Sequence, residues 1–254
     1  MLTYQAIGRG NPVVLVHAFP LSHAMWKGQM DSLAQRFRVI APDLPGFGGS
    51  ARQAQPSISQ MAQEIAGLLD HLKVTEPVFI AGLSMGGYIT FEFLRQFPDR
   101  VRGLGLFSTR AAADTPEGRE NRLKTAQKIH AEGLQTFSKG ILPKLLGKTT
   151  LESNQACVCQ VTGMILANKP EGVADALLAM ADRRDSDDLL GSIRIPTLVV
   201  AGEEDSFIPP ADAEAMATKI PGAELHVIQG AGHLVNLEQP IPFQQVLKKF
   251  LGIV

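Results

Sequence analysis

Short apolar runs rich in valine and isoleucine recur at residues 13–16, 39–41, 78–81, 101–107 and 197–201, each closed by glycine, proline or aspartate within a few positions. Unbroken apolar runs of this length read as strands covered on both faces, which predicts a parallel sheet. Between them the apolar positions recur every three or four residues. Ile58, Met61, Ala62, Ile65, Leu68, Leu69 and Leu72 make one helical stripe, and Ser57 and Gln60 have capping-box spacing at its start. A second helix is expected over about 86–97, stopped by Pro98, and a last one over about 242–251. Strand and helix alternate, so the expected class is α/β with crossover connections.

The rhythm breaks between about Arg110 and Ser192, where helix formers dominate and no buried strand can be found. The expected organisation is therefore a core built from residues 1–110 and 191–254, with a helical domain, residues 111–190, inserted in it. Polar runs at 113–120 and 183–188 flank the insertion and read as solvated surface. Its apolar residues, such as Ile141, Leu145, Met164 and Leu177, are assigned mainly to packing.

Composition narrows the function. The 254 residues are 45% hydrophobic and 19% charged, enough for one large core with an inserted subdomain. Lys+Arg 24 against Asp+Glu 25 leaves a net charge of -1, which provides no basic footprint for nucleic acid. The N-terminus lacks a basic region followed by an apolar run, and no stretch of about 18 apolar residues occurs, so no membrane partner is expected and the location is read as cytoplasmic. Cys157 and Cys159, one residue apart, point in different directions and read as reduced, apolar-like side chains; neither a disulfide nor a zinc site is expected. The glycines of Asp43-Leu44-Pro45-Gly46-Phe47-Gly48-Gly49-Ser50 do not open a helix after the first strand, and Gly147-Lys148-Thr149 lacks the upstream glycine of a phosphate loop. Neither a nucleotide nor any other cofactor is expected.

The most informative stretch is Val78-Phe79-Ile80-Ala81-Gly82-Leu83-Ser84-Met85-Gly86-Gly87. It is an apolar strand entering a helix through G-x-S-x-G. A serine held in so sharp a bend needs neighbours without Cβ atoms two positions to either side, and Gly82 and Gly86 stand there. The bend lifts the Ser84 hydroxyl clear of the sheet and aims the unpaired amides of the next helix at any oxyanion that forms. A serine nucleophile needs a general base. Of six histidines, His233 alone follows a glycine turn, Ala231-Gly232, on a loop leaving a strand; His226 falls within that strand, and His71 and His130 lie in helical surface patterns. The carboxylate that orients the base should come from Glu203, Glu204 or Asp205, at the end of the run at 197–201.

With these segments in view, the chain resembles the α/β-hydrolase superfamily, and within it small cap-bearing carboxylesterases and 3-oxoadipate enol-lactonase-like hydrolases. The resemblance rests on the nucleophile turn together with His17-Ala18-Phe19-Pro20, the 43–50 loop, Gly202-Glu203-Glu204-Asp205 and Gly230-Ala231-Gly232-His233. It implies a mostly parallel sheet of roughly eight strands, flanked by helices and carrying an inserted helical cap after the sixth strand. It also implies a catalytic triad of Ser84, Asp205 and His233, with Glu204 the main rival acid, and an oxyanion hole of the Phe19 and Met85 backbone N–H groups. His17 is structural in such proteins. Ala18 stands where the family has glycine, which puts the backbone of that loop in question.

The expected activity is hydrolysis of carboxylic esters through an acyl-enzyme. Lactone opening or perhydrolysis on the same triad is the alternative, and a non-catalytic ligand receptor is a reading from another class. Phe19, Trp26, Met85, Ile208 and Leu234 lie near these segments and are apolar, so they are the expected substrate contacts. Because no lysine or arginine adjoins the three triad segments, and Arg110 at the cap entrance is the nearest, the substrate is expected to be a small to medium, mainly uncharged acyl or aryl ester.

Overall fold

The computed structural model describes residues 1–253. Seven strands form one sheet: β1 (Tyr4–Ile7), β2 (Asn11–Val16), β3 (Phe37–Pro42), β4 (Val78–Leu83), β5 (Val101–Phe107), β6 (Thr197–Gly202) and β7 (Glu224–Ile228). Their spatial order is β1-β3-β2-β4-β5-β6-β7, parallel throughout except for β1, which runs antiparallel to β3. The sheet thus has seven strands among the described residues, against the roughly eight that the resemblance implies. A single antiparallel strand, β1, pairs directly with β3 at that edge. It carries no unbroken apolar run, because its two central residues are exposed at the sheet's edge.

Pleating splits the apolar runs between two layers. Val14 and Val16 of β2 and Ile80 of β4 pack on one face; Val13, Leu15, Phe79 and Ala81 pack on the other. Helix α1 (Lys27–Leu33) covers the second face. Helices α2 (Ile58–His71) and α3 (Met85–Gln96) cover the first. The stripe read on α2 is buried from Ile58 to Leu69, and its capping box forms: the Ser57 hydroxyl accepts from Gln60 N at 3.1 Å while Gln60 Oε1 accepts from Ser57 N at 2.8 Å.

Between β5 and β6 the chain forms helices only: α4 (Pro116–Leu145), α5 (Lys148–Ser153), α6 (Gln155–Leu166), α7 (Pro170–Ala181) and the short α8 (Asp187–Leu190). Helix α4 is broken at Gly133, whose φ of 75° and ψ of 175° are not helical, so two helical halves meet there at an angle. After β6 come α9 (Pro210–Lys219), α10 (Val235–Glu238) and α11 (Pro240–Phe250). The last helix begins two residues before the position expected for it, because proline is well placed in a first helical turn. No helix among the described residues is long and apolar enough to cross a membrane. Cys157 is buried and Cys159 exposed, both as free thiols, and burial pushes the Cys157 thiol up to about 11.

The two ends of the helical segment are stitched together by one carboxylate. Asp114, with a side chain only 2% exposed, meets Arg183 at 2.8 Å and Arg110 at 3.2 Å and pairs closely with Arg122. Arg183 also donates to Ala112 O at 2.8 Å, and its guanidinium lies 4.1 Å from the centre of the Tyr88 ring. Burial alone would raise the Asp114 carboxyl, but hydrogen bonds and charge from Arg122 and Arg183 hold it below its ordinary value. Removing the anion would leave the buried Arg183 uncompensated. Asp114→Asn should therefore lower the unfolding free energy by about 3 kcal/mol in urea titrations. A change indistinguishable from that at an exposed pair such as Lys27–Asp31 would show that the cluster does not hold the segment in place.

Candidate active site

Ser84 sits between β4 and α3 at φ 56° and ψ -115°, a conformation non-glycine residues rarely hold. Backbone contacts impose it. A Cβ on Gly82 would stand 2.1 Å from the Gly86 carbonyl carbon, and one on Gly86 would stand 2.3 Å from Val16 O. The bend is clamped on the β5 side, where Ser84 N donates to Phe107 O at 2.9 Å and the Thr109 hydroxyl donates to Ser84 O at 2.9 Å. Met85 occupies the first helical position, where an N–H has no intrahelical acceptor.

Asp205 and His233 leave the carboxyl ends of β6 and β7, on the same edge of the sheet as Ser84. His233 Nδ1 lies 2.8 Å from Asp205 Oδ2, and both side chains are wholly buried. The other Asp205 oxygen accepts from the N–H groups of Phe207 and Ile208, each at 2.9 Å. An ionised carboxylate only accepts, so in the neutral ring Nδ1 carries the proton and Nε2 presents its lone pair. That Nε2 is buried and has no hydrogen-bond partner. Phe207 stands edge-on to the imidazole, with ring centres 5.1 Å apart.

The rival acids have other work. Glu204 accepts from Thr149 N at 2.8 Å and from the Thr149 hydroxyl at 2.5 Å, which hold its carboxyl below the ordinary value; Glu203 accepts from Gly230 N. His17 is wholly buried. Its Nε2 accepts from Leu44 N at 3.0 Å, so its Nδ1–H donates to Ala18 O at 2.9 Å, and burial lowers its pKa to about 4. It is a neutral strut between two loops. Ala18 is not among the residues with positive φ, and its methyl group is buried, so this loop does not need glycine there.

Among the expected substrate contacts, Phe19 lines a cavity of about 230 Å³ between the sheet edge and the helical segment. Met85 and Ile208 are buried beside Ser84 and Phe207 in the chain, and neither lines this cavity. Trp26 and Leu234 are fully buried in one apolar cluster and neither lines this cavity; Trp26 meets Phe107 edge-on and Phe243 at a tilt, with ring centres 6.2 Å apart in each pair. Closeness in sequence misled there, because the turn after Pro20 carries Trp26 beneath the sheet.

The cavity walls come instead from α4 and from Phe207. Phe137, Ile141 and Lys144 fall at i, i+4 and i+7, a helical stripe of which the sequence reading takes up only Ile141, assigned to packing. Arg110, Arg122 and Lys144 all line this space. The expectation of an uncharged substrate rested on there being no cation beside the triad segments in the linear order; folding supplies three from elsewhere. Asn168, also unforeseen, donates from Nδ2 to Pro20 O at 2.8 Å and accepts from Gly48 N at 2.9 Å, tying the helical segment to two of the loops. No group of three or more His, Cys, Asp or Glu side chains among the described residues is disposed to hold a metal ion.

A family model described as alpha/beta hydrolase fold matches residues 11–240. A thermophilic esterase from Thermogutta terrifontis, solved with malate bound, is 43% identical, covers 99% of this chain and 93% of its own, and superposes with a TM-score of 0.96. The enol-lactonase from Burkholderia xenovorans is 26% identical with a TM-score of 0.91, covering 99% of this chain and 96% of its own. The dihydrolipoyllysine-residue acetyltransferase component of the acetoin cleaving system from Pseudomonas putida is 32% identical over 95% of this chain, and the chain spans 64% of that relative's length.

The loop carrying Asp43 yields a pH prediction. His23 donates to Asp43 through its backbone N–H at 2.9 Å and pairs through Nδ1 at 2.8 Å, while Gly49 N donates to the other Asp43 oxygen at 2.9 Å. The hydrogen bond to Asp43 raises the His23 pKa above 6.5; burial alone would raise the Asp43 carboxyl, but the bonds from His23 and Gly49 bring it below 3.8. The raised imidazole stabilises the fold fully below 6.5 and loses that gain as pH climbs through its folded value. The depressed carboxyl stabilises it fully above 3.8 and loses that gain as pH falls through its folded value. The stability difference between wild type and His23→Gln should thus be greatest between 3.8 and 6.5 and shrink at higher pH. A difference that grows from pH 6 to pH 9 in denaturant titrations would contradict this.

Proposed function

We propose that this chain, a member of the α/β-hydrolase family, is a carboxylic ester hydrolase that cleaves its substrates through a triad of Ser84, His233 and Asp205. Ser84 Oγ attacks the ester carbonyl while His233 Nε2 takes the hydroxyl proton. The same imidazole returns that proton to the departing alcohol, and Asp205 holds the ring in the tautomer that makes this transfer possible. Phe19 N–H and Met85 N–H receive the oxyanion of the tetrahedral intermediate, each contributing about 3 kcal/mol. Water, activated by His233, then releases the acid from the acyl-enzyme.

One observation carries the proposal. A buried nitrogen without a partner is costly, and His233 Nε2 is such an atom, on a ring whose other nitrogen is fixed by a buried carboxylate. A structural histidine would pair both nitrogens, as His17 does. The cavity beside Phe19 is about 230 Å³, smaller than the ~300 Å³ at which drug-sized sites begin, so we propose small to medium acyl groups. Likeness to an enol-lactonase supports a second reading, opening of a cyclic ester by the same three side chains.

Initial rates on nitrophenyl esters of graded chain length, beside simple lactones, test both readings. Ser84→Ala should lose on the order of 10⁶ in kcat and all labelling by a fluorophosphonate probe. Asp205→Asn should lose on the order of 10⁴, whereas Glu204→Gln should change the rate little. Full activity in Ser84→Ala, or equal losses at positions 204 and 205, would rule out these roles.

A further inference from the structure

The cluster around Asp114 does more than fasten the helical segment, because it is out of charge balance on the side that faces the cavity. Arg110, Arg122 and Lys144 line that space with Asp114 as the only anion among the lining residues, an excess of two positive charges. The single charge of Asp114 is shared among three guanidinium groups: Oδ1 meets Arg110, Arg122 and Arg183, and Oδ2 receives Arg122 Nε. Arg183 also donates to Met180 O and Ala112 O and lies over the Tyr88 ring, whereas Arg110 donates to Asp114 alone among the described residues; the Nε of each is buried without a hydrogen-bond partner. Phe19, Phe137, Ile141, Leu177 and Phe207 give the cavity an apolar side, beside the polar Asn121 and Thr125, so the field of these cations is stronger there than in open water.

We propose that the cavity selects esters carrying a second, ionised carboxylate away from the scissile bond, with Arg110 and Lys144 as the groups that receive it. The proposal rests on the ester-hydrolase reading for the other end of the substrate, which lies at Phe19. A guanidinium takes a carboxylate through charge-assisted hydrogen bonds, and the anion supplies the charge that Asp114 cannot. A neutral acyl chain of equal length leaves the excess of positive charge in the lining uncompensated. The carboxylate would therefore distinguish substrates mainly through binding, with the chemistry at Ser84 unchanged.

Calorimetric binding to Ser84→Ala protein separates this inference from turnover. The probes are monoethyl glutarate and its neutral counterpart, ethyl methyl glutarate. The half ester should bind about tenfold more tightly at low ionic strength, and that preference should weaken as salt is added. Arg110→Met should cut the preference about fivefold and Lys144→Met about twofold. Lys144 is exposed, so its replacement reads the same preference even if Arg110→Met fails to fold. Equal affinity for the two esters, no detectable binding of the half ester, or a preference unchanged by the replacements would overturn the proposal. Hydrolysis of ethyl methyl glutarate by the wild-type chain tests the ester-hydrolase reading independently, since the neutral ester needs no carboxylate subsite.

Discussion

The arrangement depends on three backbones meeting where β4 turns into α3. Because Gly82 and Gly86 carry no side chains, the carbonyl of Val16 can lie where a Cβ would otherwise stand, and the end of β2 is pressed against the first turn of α3. The same contact that forces Ser84 to a positive φ therefore also sets the spacing between Met85 and the loop carrying Phe19. Strain at one residue and the positioning of two amides are consequences of one packing event. The strain survives because hydrogen bonds from Ser84 N to Phe107 O and from Thr109 to Ser84 O hold the bend from the opposite side.

The remaining loops are braced by buried polar groups that reach across long sequence distances. His17 joins the β2 loop to Leu44, Asp43 gathers His23 and Gly49, and Asn168 bridges Pro20 and Gly48. Glu238 does the same beside the base: it accepts from Leu234 N at 3.0 Å and from Gly147 N at 2.7 Å, so the loop of His233 and the start of α5 share one buried carboxylate, whose pKa burial raises. Each brace leaves its groups with partners. Against that background the unpartnered Nε2 of His233, on a ring whose other nitrogen is paired with Asp205, calls for a chemical explanation.

What was legible in the sequence follows from how local the responsible physics is. The buried strands, the capped helix α2 and the serine turn are fixed by neighbours within a few residues, and the period of the apolar positions exposes them. The edge strand β1 escaped, since half of its side chains meet water and it has only four residues. Asp205 was separable from Glu204 only by resemblance, because three consecutive acids look alike until the fold hands Glu204 to Thr149 and Asp205 to His233. Trp26 was misplaced and Arg122 and Lys144 overlooked for a common reason. Which side of the sheet a loop residue reaches, and what an inserted segment lays over the sheet edge, are decided by contacts between positions far apart in the chain, as Trp26 and Phe243 are.

The break in α4 shows how that insertion acquires two lining surfaces from one stretch of chain. Thirty helical residues in a straight rod would span about 45 Å, so only part of it could face a cavity of this size. At Gly133 the axis changes direction, and both halves come to bear on the same space: Arg122 and Thr125 from the first, Phe137, Ile141 and Lys144 from the second. The first half also carries the partner of Asp114, so its position is fixed by the ion cluster at the base of the insertion, while Leu134 and Leu145 anchor the second half in the two apolar layers. The first half thereby supplies Arg122 and Thr125, and the second supplies the apolar Phe137 and Ile141 together with Lys144 at its far end. A change in the first half can alter the polar side of the cavity without disturbing the apolar wall of the second, so this helix can vary while the serine turn stays as it is.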